Sequence, residues 1–124
     1  MIQTEFLRIS PVLASADVAR DIEWYVSKLG FKNVYDSTQY QDGPVDYVVL
    51  CRQNICFHLQ YQFPEDMTST DLKIQVKHIQ PLCDEYIGKQ TIKPEQFTPN
   101  TPWQTAEFSL FDPSGNRITF YEDV

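Results

Sequence analysis

Twice along this chain a strand-like run gives way to one helix-like stretch and then to three further strand-like runs, an order that few folds accept. The first pass begins with Phe6 to Leu13 as a strand. A helix opens at Ala16-Asp17, with Val18, Ile22, Trp24, Tyr25, Leu29 and Phe31 as its apolar positions. Ser15 or Asp17 stands at its N-cap, and Gly30 in KLGF is its stop, because glycine takes the left-handed backbone that ends a helix. Lys32 to Tyr35, Asp46 to Arg52 and Ile55 to Tyr61 follow as strands, the last two joined by the tight turn Gln53-Asn54.

The second pass repeats the order. Asp71 to Val76 reads as a strand and Ile79 to Ile87 as a helix whose Pro81 fits only in the first turn. Thr91 to Phe97, Thr105 to Phe111 and Asn116 to Tyr121 then read as strands. Asp112-Pro113-Ser114-Gly115 makes the last two a hairpin: Asp bonds its own backbone, Pro sets φ and Gly accepts a positive φ. The expected fold class is α+β, with two tandem βαβββ modules, approximately 1–64 and 65–124, forming a curved mixed sheet with an open cleft within a single domain, 1–124. A helix covers one face of each module, so the other faces form a trough that core side chains or a ligand must fill.

Charge and cysteines narrow the partners. Seventeen acidic against ten basic residues give a net charge of −7, which repels a phosphate backbone and favours a cationic or neutral ligand over nucleic acid. No apolar run is long enough to span a membrane, and the first residues lack a secretory signal, so a cytoplasmic location is expected. Cys51, Cys56 and Cys83 are odd in number and form no CxxC pair, which predicts three reduced, buried thiols.

Two segments resemble a known superfamily. Pro11 to Phe31, PVLASADVARDIEWYVSKLGF, is similar to the first strand and helix of the vicinal oxygen chelate superfamily, and Asp112 to Phe120, DPSGNRITF, to its terminal hairpin. That superfamily includes glyoxalase I, extradiol dioxygenases, and the fosfomycin and bleomycin resistance proteins. PWQTAEFSLFDPSGN looks most like the bleomycin resistance proteins, with their Pro-Trp pair, Glu-Phe and Asp-Pro-x-Gly-Asn. Here Gln104 follows the Pro-Trp pair where that family usually has glycine.

The resemblance places the metal ligands of the superfamily's enzymes at Ser10, at or near Asp71, and at Thr119. One carboxylate and two hydroxyls are a poor set for a transition ion, so neither a metal nor another cofactor is expected. Glu122 lies three residues past the last ligand position, and strand alternation turns it to the opposite face. The implied function is metal-independent binding: a homodimer that sequesters a flat, cationic glycopeptide-type antibiotic or a related compound. The alternative is a metal-dependent glyoxalase- or dioxygenase-like enzyme with a rearranged site that uses His58, Glu107 or Glu122.

By resemblance, Trp103 stacks on the ligand's planar ring and Tyr47 takes the place of a cleft phenylalanine. Asp46 offers an acidic contact, while Gln60 and His58 supply polar cleft groups. Packing readings stand beside these: Trp103 caps the core, Tyr47 packs with a satisfied hydroxyl, and Trp24 and Tyr25 follow the helical stripe. Pro11 marks either exchange of the amino-terminal strand between subunits or an ordinary edge strand.

Overall fold

A computed structural model describes residues Met1–Val124. Strands β1 (Val12–Ser15), β2 (Lys32–Asp36), β3 (Tyr47–Arg52) and β4 (Ile55–Tyr61) form one sheet in the order β1-β4-β3-β2, with helix α1 (Val18–Leu29) after β1. Strands β5 (Asp71–Gln75), β6 (Thr105–Phe111) and β7 (Arg117–Asp123) form a second sheet in the order β5-β7-β6, with helix α2 (Ile79–Gly88) after β5. Both sheets are mixed, because the strand before each helix pairs in parallel with the last strand of its module: β1 with β4 and β5 with β7. Both also remain open.

Local chemistry sets the helix ends. The Asp17 carboxylate accepts the Arg20 N–H at the start of α1, and Gly30 closes it at φ 75° while the Phe31 N–H reaches Tyr25 O. Val18, Asp21, Tyr25 and Leu29 recur on one stripe and are buried. Helix α2 has His78 at its N-cap without a side-chain cap; instead Glu122 of β7 accepts the His78 and Ile79 N–H groups at 2.7 and 3.1 Å. Those N–H groups hold the Glu122 carboxyl below its usual range.

One cluster of nineteen buried apolar residues takes side chains from both sheets and both helices. Tyr25 and Phe57 meet edge to face on the α1 side, as do Tyr86 and Phe120 on the α2 side. Polar contacts fasten the modules at two places. Arg52 donates to both Glu85 oxygens at 2.9 Å and to Leu29 O at 2.7 Å. At the other, the β6–β7 turn docks on α1: Ser114 donates to buried Asp21, and Asn116 donates to Ala14 O while accepting the Thr70 N–H.

Three expectations need correction. The strand proposed for Phe6 to Leu13 begins only at Val12; Met1–Ser10 is exposed and without regular structure, because no strand of the chain pairs with it. Thr91 to Phe97 is not a strand. Pro94, which lacks an N–H, starts a 3-10 turn over Pro94–Gln96, and only Thr98 bridges to Glu107 of β6. The second module therefore has three strands rather than four. Cys51 and Cys56 are not thiols either: they face each other across the β3–β4 hairpin and form a disulfide, leaving Cys83 free and buried.

Candidate functional site

Strand alternation divides each sheet into a helix-covered face and an uncovered one. In the first sheet Leu13, Val48, Leu50, Phe57 and Leu59 are buried beneath α1. The other face carries the cross-strand rows Val12, His58 and Val49, and Ala14, Gln60 and Tyr47. In the second sheet the uncovered rows are Lys73, Thr119 and Ser109, and Gln75, Tyr121 and Glu107. No helix packs on either.

Tyr47 and His58 come together on the first of these faces. The Tyr47 hydroxyl is bonded to His58 Nδ1, and the rings meet edge to face with centroids 5.4 Å apart. Gln60 pairs in register with Tyr47, is exposed, and lines a cavity of about 280 Å³ with Val12, Ala14 and Thr70. Asp46 precedes β3; its N–H donates to Ser37 Oγ and its carbonyl accepts the Tyr61 N–H, which continues the ladder. Alternation then turns its carboxylate away from the Tyr47 face. Pro11 sits where the arm meets β1, and its carbonyl accepts the His58 N–H at 2.8 Å. Since β1 is an edge strand, the N–H that proline lacks breaks no ladder there.

Trp103 belongs to the second face. The turn before β6 is fastened by Thr101, whose hydroxyl accepts the Thr105 N–H at 3.0 Å and whose carbonyl accepts the Gln104 N–H. Gln104 itself is left-handed, at φ 68°. On this turn Trp103 is 62% exposed, and its indole N–H donates to Glu107 Oε1 at 3.1 Å. Within one chain, no hydrogen bond or ring contact joins Trp103 to Tyr47, His58 or Gln60.

The three positions that the resemblance assigns to metal ligands do not come together as a donor set. Ser10 lies in the exposed arm, and the Thr119 hydroxyl is bonded to Ser109 at 2.7 Å. Asp71 alone offers a carboxylate, exposed at the start of β5 opposite Arg117. The rearranged set is also dispersed: His58 is on the first sheet, Glu107 is beneath Trp103, and Glu122 caps α2. Nowhere do three His, Cys, Asp or Glu side chains converge as ligands would.

Two features escaped the sequence reading. A cavity of about 520 Å³ lies at the junction of the modules, between the β3–β4 turn and the start of α2, lined among others by Phe31, Arg52, His78 and Glu85. It contains none of the expected site residues. Glu107, bonded to Trp103, pairs across the strands with Tyr121, and Lys73 Nζ lies 5.1 Å from the Tyr121 ring centre. Alternation within β6 and β7 is readable from sequence, but the β5–β7 register that brings Lys73 to this face is not.

No curated protein matches the chain. Among solved structures it is similar to the bleomycin-binding protein of bleomycin-producing Streptomyces verticillus complexed with copper(II)-bleomycin, at 25% identity over 95% of this chain and 97% of that one, TM-score 0.72. It also resembles a bleomycin resistance determinant encoded on transposon Tn5, at 14% identity over 95% and 98%, TM-score 0.72. A glyoxalase-related enzyme from Clostridium phytofermentans matches at 17% identity over 98% of both chains, TM-score 0.71. A family model described as "Glyoxalase superfamily protein" matches residues 1–124, and the chain belongs to that superfamily.

Proposed function

We propose that the protein is a metal-independent, small-molecule binding protein of the bleomycin-resistance type, which sequesters a flat, cationic glycopeptide-type compound. The observation that carries this reading is an exposed tryptophan held by a fastened turn on a sheet face that no helix covers, hydrogen-bonded to a carboxylate. An indole presented in this way stacks on a planar ring, and the net charge of −7 draws a cation toward it. The likeness to a bleomycin-binding protein at 25% identity supports the same choice.

A single chain offers two separate half-sites, with Tyr47, His58 and Gln60 on one sheet and Trp103 on the other. In the proposed homodimer the Tyr47 face of one copy stands opposite the Trp103 face of its partner, while Asp46, turned from that face, adds to the net negative charge and not to the cleft lining. Pro11 is where the arm leaves for the partner. The enzyme reading draws less support, because its ligand positions are scattered.

Titrating bleomycin into the protein while following tryptophan fluorescence tests the reading. Saturable quenching that is lost in Trp103→Leu, with Trp24 still present, is expected. Absence of quenching, or equal quenching in the variant, overturns it. Stoichiometric tightly bound Ni, Zn, Mn or Fe in protein purified without chelator would restore the enzyme reading.

A further inference from the structure

Glu107 is out of balance with its surroundings. Its Oε1 accepts the Trp103 indole N–H, while Oε2 is shut from solvent without a hydrogen-bond partner, the one buried side-chain oxygen or nitrogen in this condition. The ion pairs of the chain are Arg20–Asp21, Arg52–Glu85 and Lys89–Glu85, so Glu107 takes part in none. A buried carboxylate oxygen without a donor costs stability, and it leaves an acceptor that a ligand's N–H can complete.

The neighbouring residues indicate what that ligand carries. Glu107 pairs across the strands with Tyr121, whose ring already has the Lys73 ammonium 5.1 Å from its centre. Of the two aromatics beside Glu107, Tyr121 therefore has its cation. Trp103 is open to solvent, has a carboxylate behind it, and stacks on no other ring.

We propose that Trp103 and Glu107 form a subsite for a planar cation bearing N–H donors, a guanidinium or amidinium, which stacks on the indole and donates to Glu107 Oε2. The proposal rests on the reading of this face as a ligand site and names the group the site takes. A planar donor cation meets both partners at once: its face lies on the indole and its edge donates to the carboxylate. A quaternary ammonium has no donor for Oε2, and a neutral flat ring has no charge. Access requires the Trp103 side chain to rotate, which releases one hydrogen bond and leaves the turn intact, since Thr101 and Thr105 hold it.

Three probes of similar size separate these chemistries: benzamidine, phenyltrimethylammonium and benzamide. Binding is read from the Trp103 indole N–H resonance, distinguished from that of Trp24 by its loss in Trp103→Phe. Benzamidine is expected to shift this resonance saturably and to bind at least tenfold more tightly than either other probe. Glu107→Gln keeps an oxygen for the indole N–H, and it should weaken benzamidine at least tenfold and phenyltrimethylammonium by a clearly smaller factor, because the quaternary cation loses only the charge and benzamidine loses the charge-assisted hydrogen bond as well. Trp103→Leu, at an exposed position, should also weaken benzamidine tenfold and does not depend on how well Glu107→Gln folds. Benzamidine binding that Glu107→Gln leaves unchanged, or phenyltrimethylammonium binding as tightly as benzamidine, overturns the proposal. Bleomycin titrated into the same proteins separates the two levels: benzamidine binding unchanged in Glu107→Gln, with bleomycin still bound, removes the Glu107 subsite while the sequestration reading stands. Glu107-dependent benzamidine binding without bleomycin binding keeps the subsite and removes that ligand.

Discussion

The Tyr25 hydroxyl donates a 2.6 Å hydrogen bond to Asp112 Oδ2, joining the middle of α1 to the β6–β7 turn across 87 residues of sequence. Asp112 also accepts the Ser114 and Asn116 N–H groups through Oδ1 and the Asn116 side-chain amide through Oδ2. The turn that identifies the superfamily in the sequence is thus the piece that locks its two modules together. Both partners are buried, and burial pushes the Asp112 carboxyl above its usual range although the bonds from Tyr25 and Asn116 pull it down.

Tyr25→Phe keeps the ring in the core and removes only the donor. Asp112 Oδ2 then retains a single partner, so a loss of about 1–3 kcal/mol is expected in urea unfolding. Wild-type stability in the variant would show that the hydroxyl adds nothing to the lock.

Alkaline pH should unfold the protein through its buried tyrosines. Burial, and for Tyr25 the nearby Asp112 charge, raise the Tyr25 and Tyr86 hydroxyls above the ordinary value of 10.0. A group raised in the folded state contributes stability that is complete below its unfolded pKa and is lost as pH rises toward the folded one. Stability should therefore fall above pH 10, and absorbance at 295 nm should show two of the seven tyrosines ionising only together with the loss of circular dichroism. Ionisation of all seven before unfolding would contradict this.

Elements with chemical stops at both ends were legible in the sequence. Asp17 and Gly30 bound α1, the Gln53-Asn54 turn sets the β3–β4 register, and Thr105–Phe111 forms as read. The disulfide was legible too and was missed: a two-residue turn at Gln53-Asn54 pairs Arg52 with Ile55 and therefore Cys51 with Cys56. What alternation could not supply was a partner. Phe6 to Ser10 has strand character but no neighbour in its own chain, so the expected strand forms only from Val12, and Thr91 to Phe97 carries a proline where a ladder donor was needed. The expected site residues fell on two different sheets because their separation depends on how the modules pack, through Arg52, Glu85 and Asn116, and no local pattern records that.

Gln104 holds a left-handed backbone, φ 68°, at the position where bleomycin resistance proteins usually have glycine. For a residue with a Cβ this conformation costs roughly 1–2 kcal/mol, part of which glycine returns through its larger unfolded-state entropy. Gln104→Gly should raise stability by about 0.5–1 kcal/mol, because its backbone bonds to Thr101 and Val124 remain. A lower unfolding midpoint would mean that the Gln104 side chain contributes more than its backbone costs.

Gly30 is constrained twice. Its φ is 75°, and a Cβ there would lie 2.8 Å from Arg52 Nη1, the group that bonds Leu29 O and Glu85. Gly30→Ala should cost about 1–2 kcal/mol from the backbone, with more from displacing the guanidinium. The Arg52 hydrogen bond holds the Glu85 carboxyl below its usual range, so this pair stabilises the fold above pH 4.5 and is lost as pH falls below it. The excess cost of Gly30→Ala over its backbone share should accordingly shrink in acid, which parallel urea titrations at pH 7 and pH 3 would measure.

The amino-terminal arm gives the proposed dimer its sharpest test. Ile2, Phe6 and Ile9 are each at least 89% exposed, on a segment with unpaired backbone beside the edge strand β1. Isolated apolar side chains on a surface are ordinary, but three on one stretch without partners in its own chain, next to an open edge, fit a segment that pairs with a second copy. Deleting residues 1–10 leaves the nineteen-residue core untouched, since none of the core residues lies in that segment. Sedimentation equilibrium should show a dimer for the full chain and a folded monomer, or a dimer at least a hundredfold weaker, for the deletion. The bleomycin affinity should fall with it, because a monomer keeps Trp103 but loses the Tyr47 face of its partner. A full chain that is monomeric at all concentrations removes the shared cleft, and an equally tight dimer without the arm removes the arm's role in forming it.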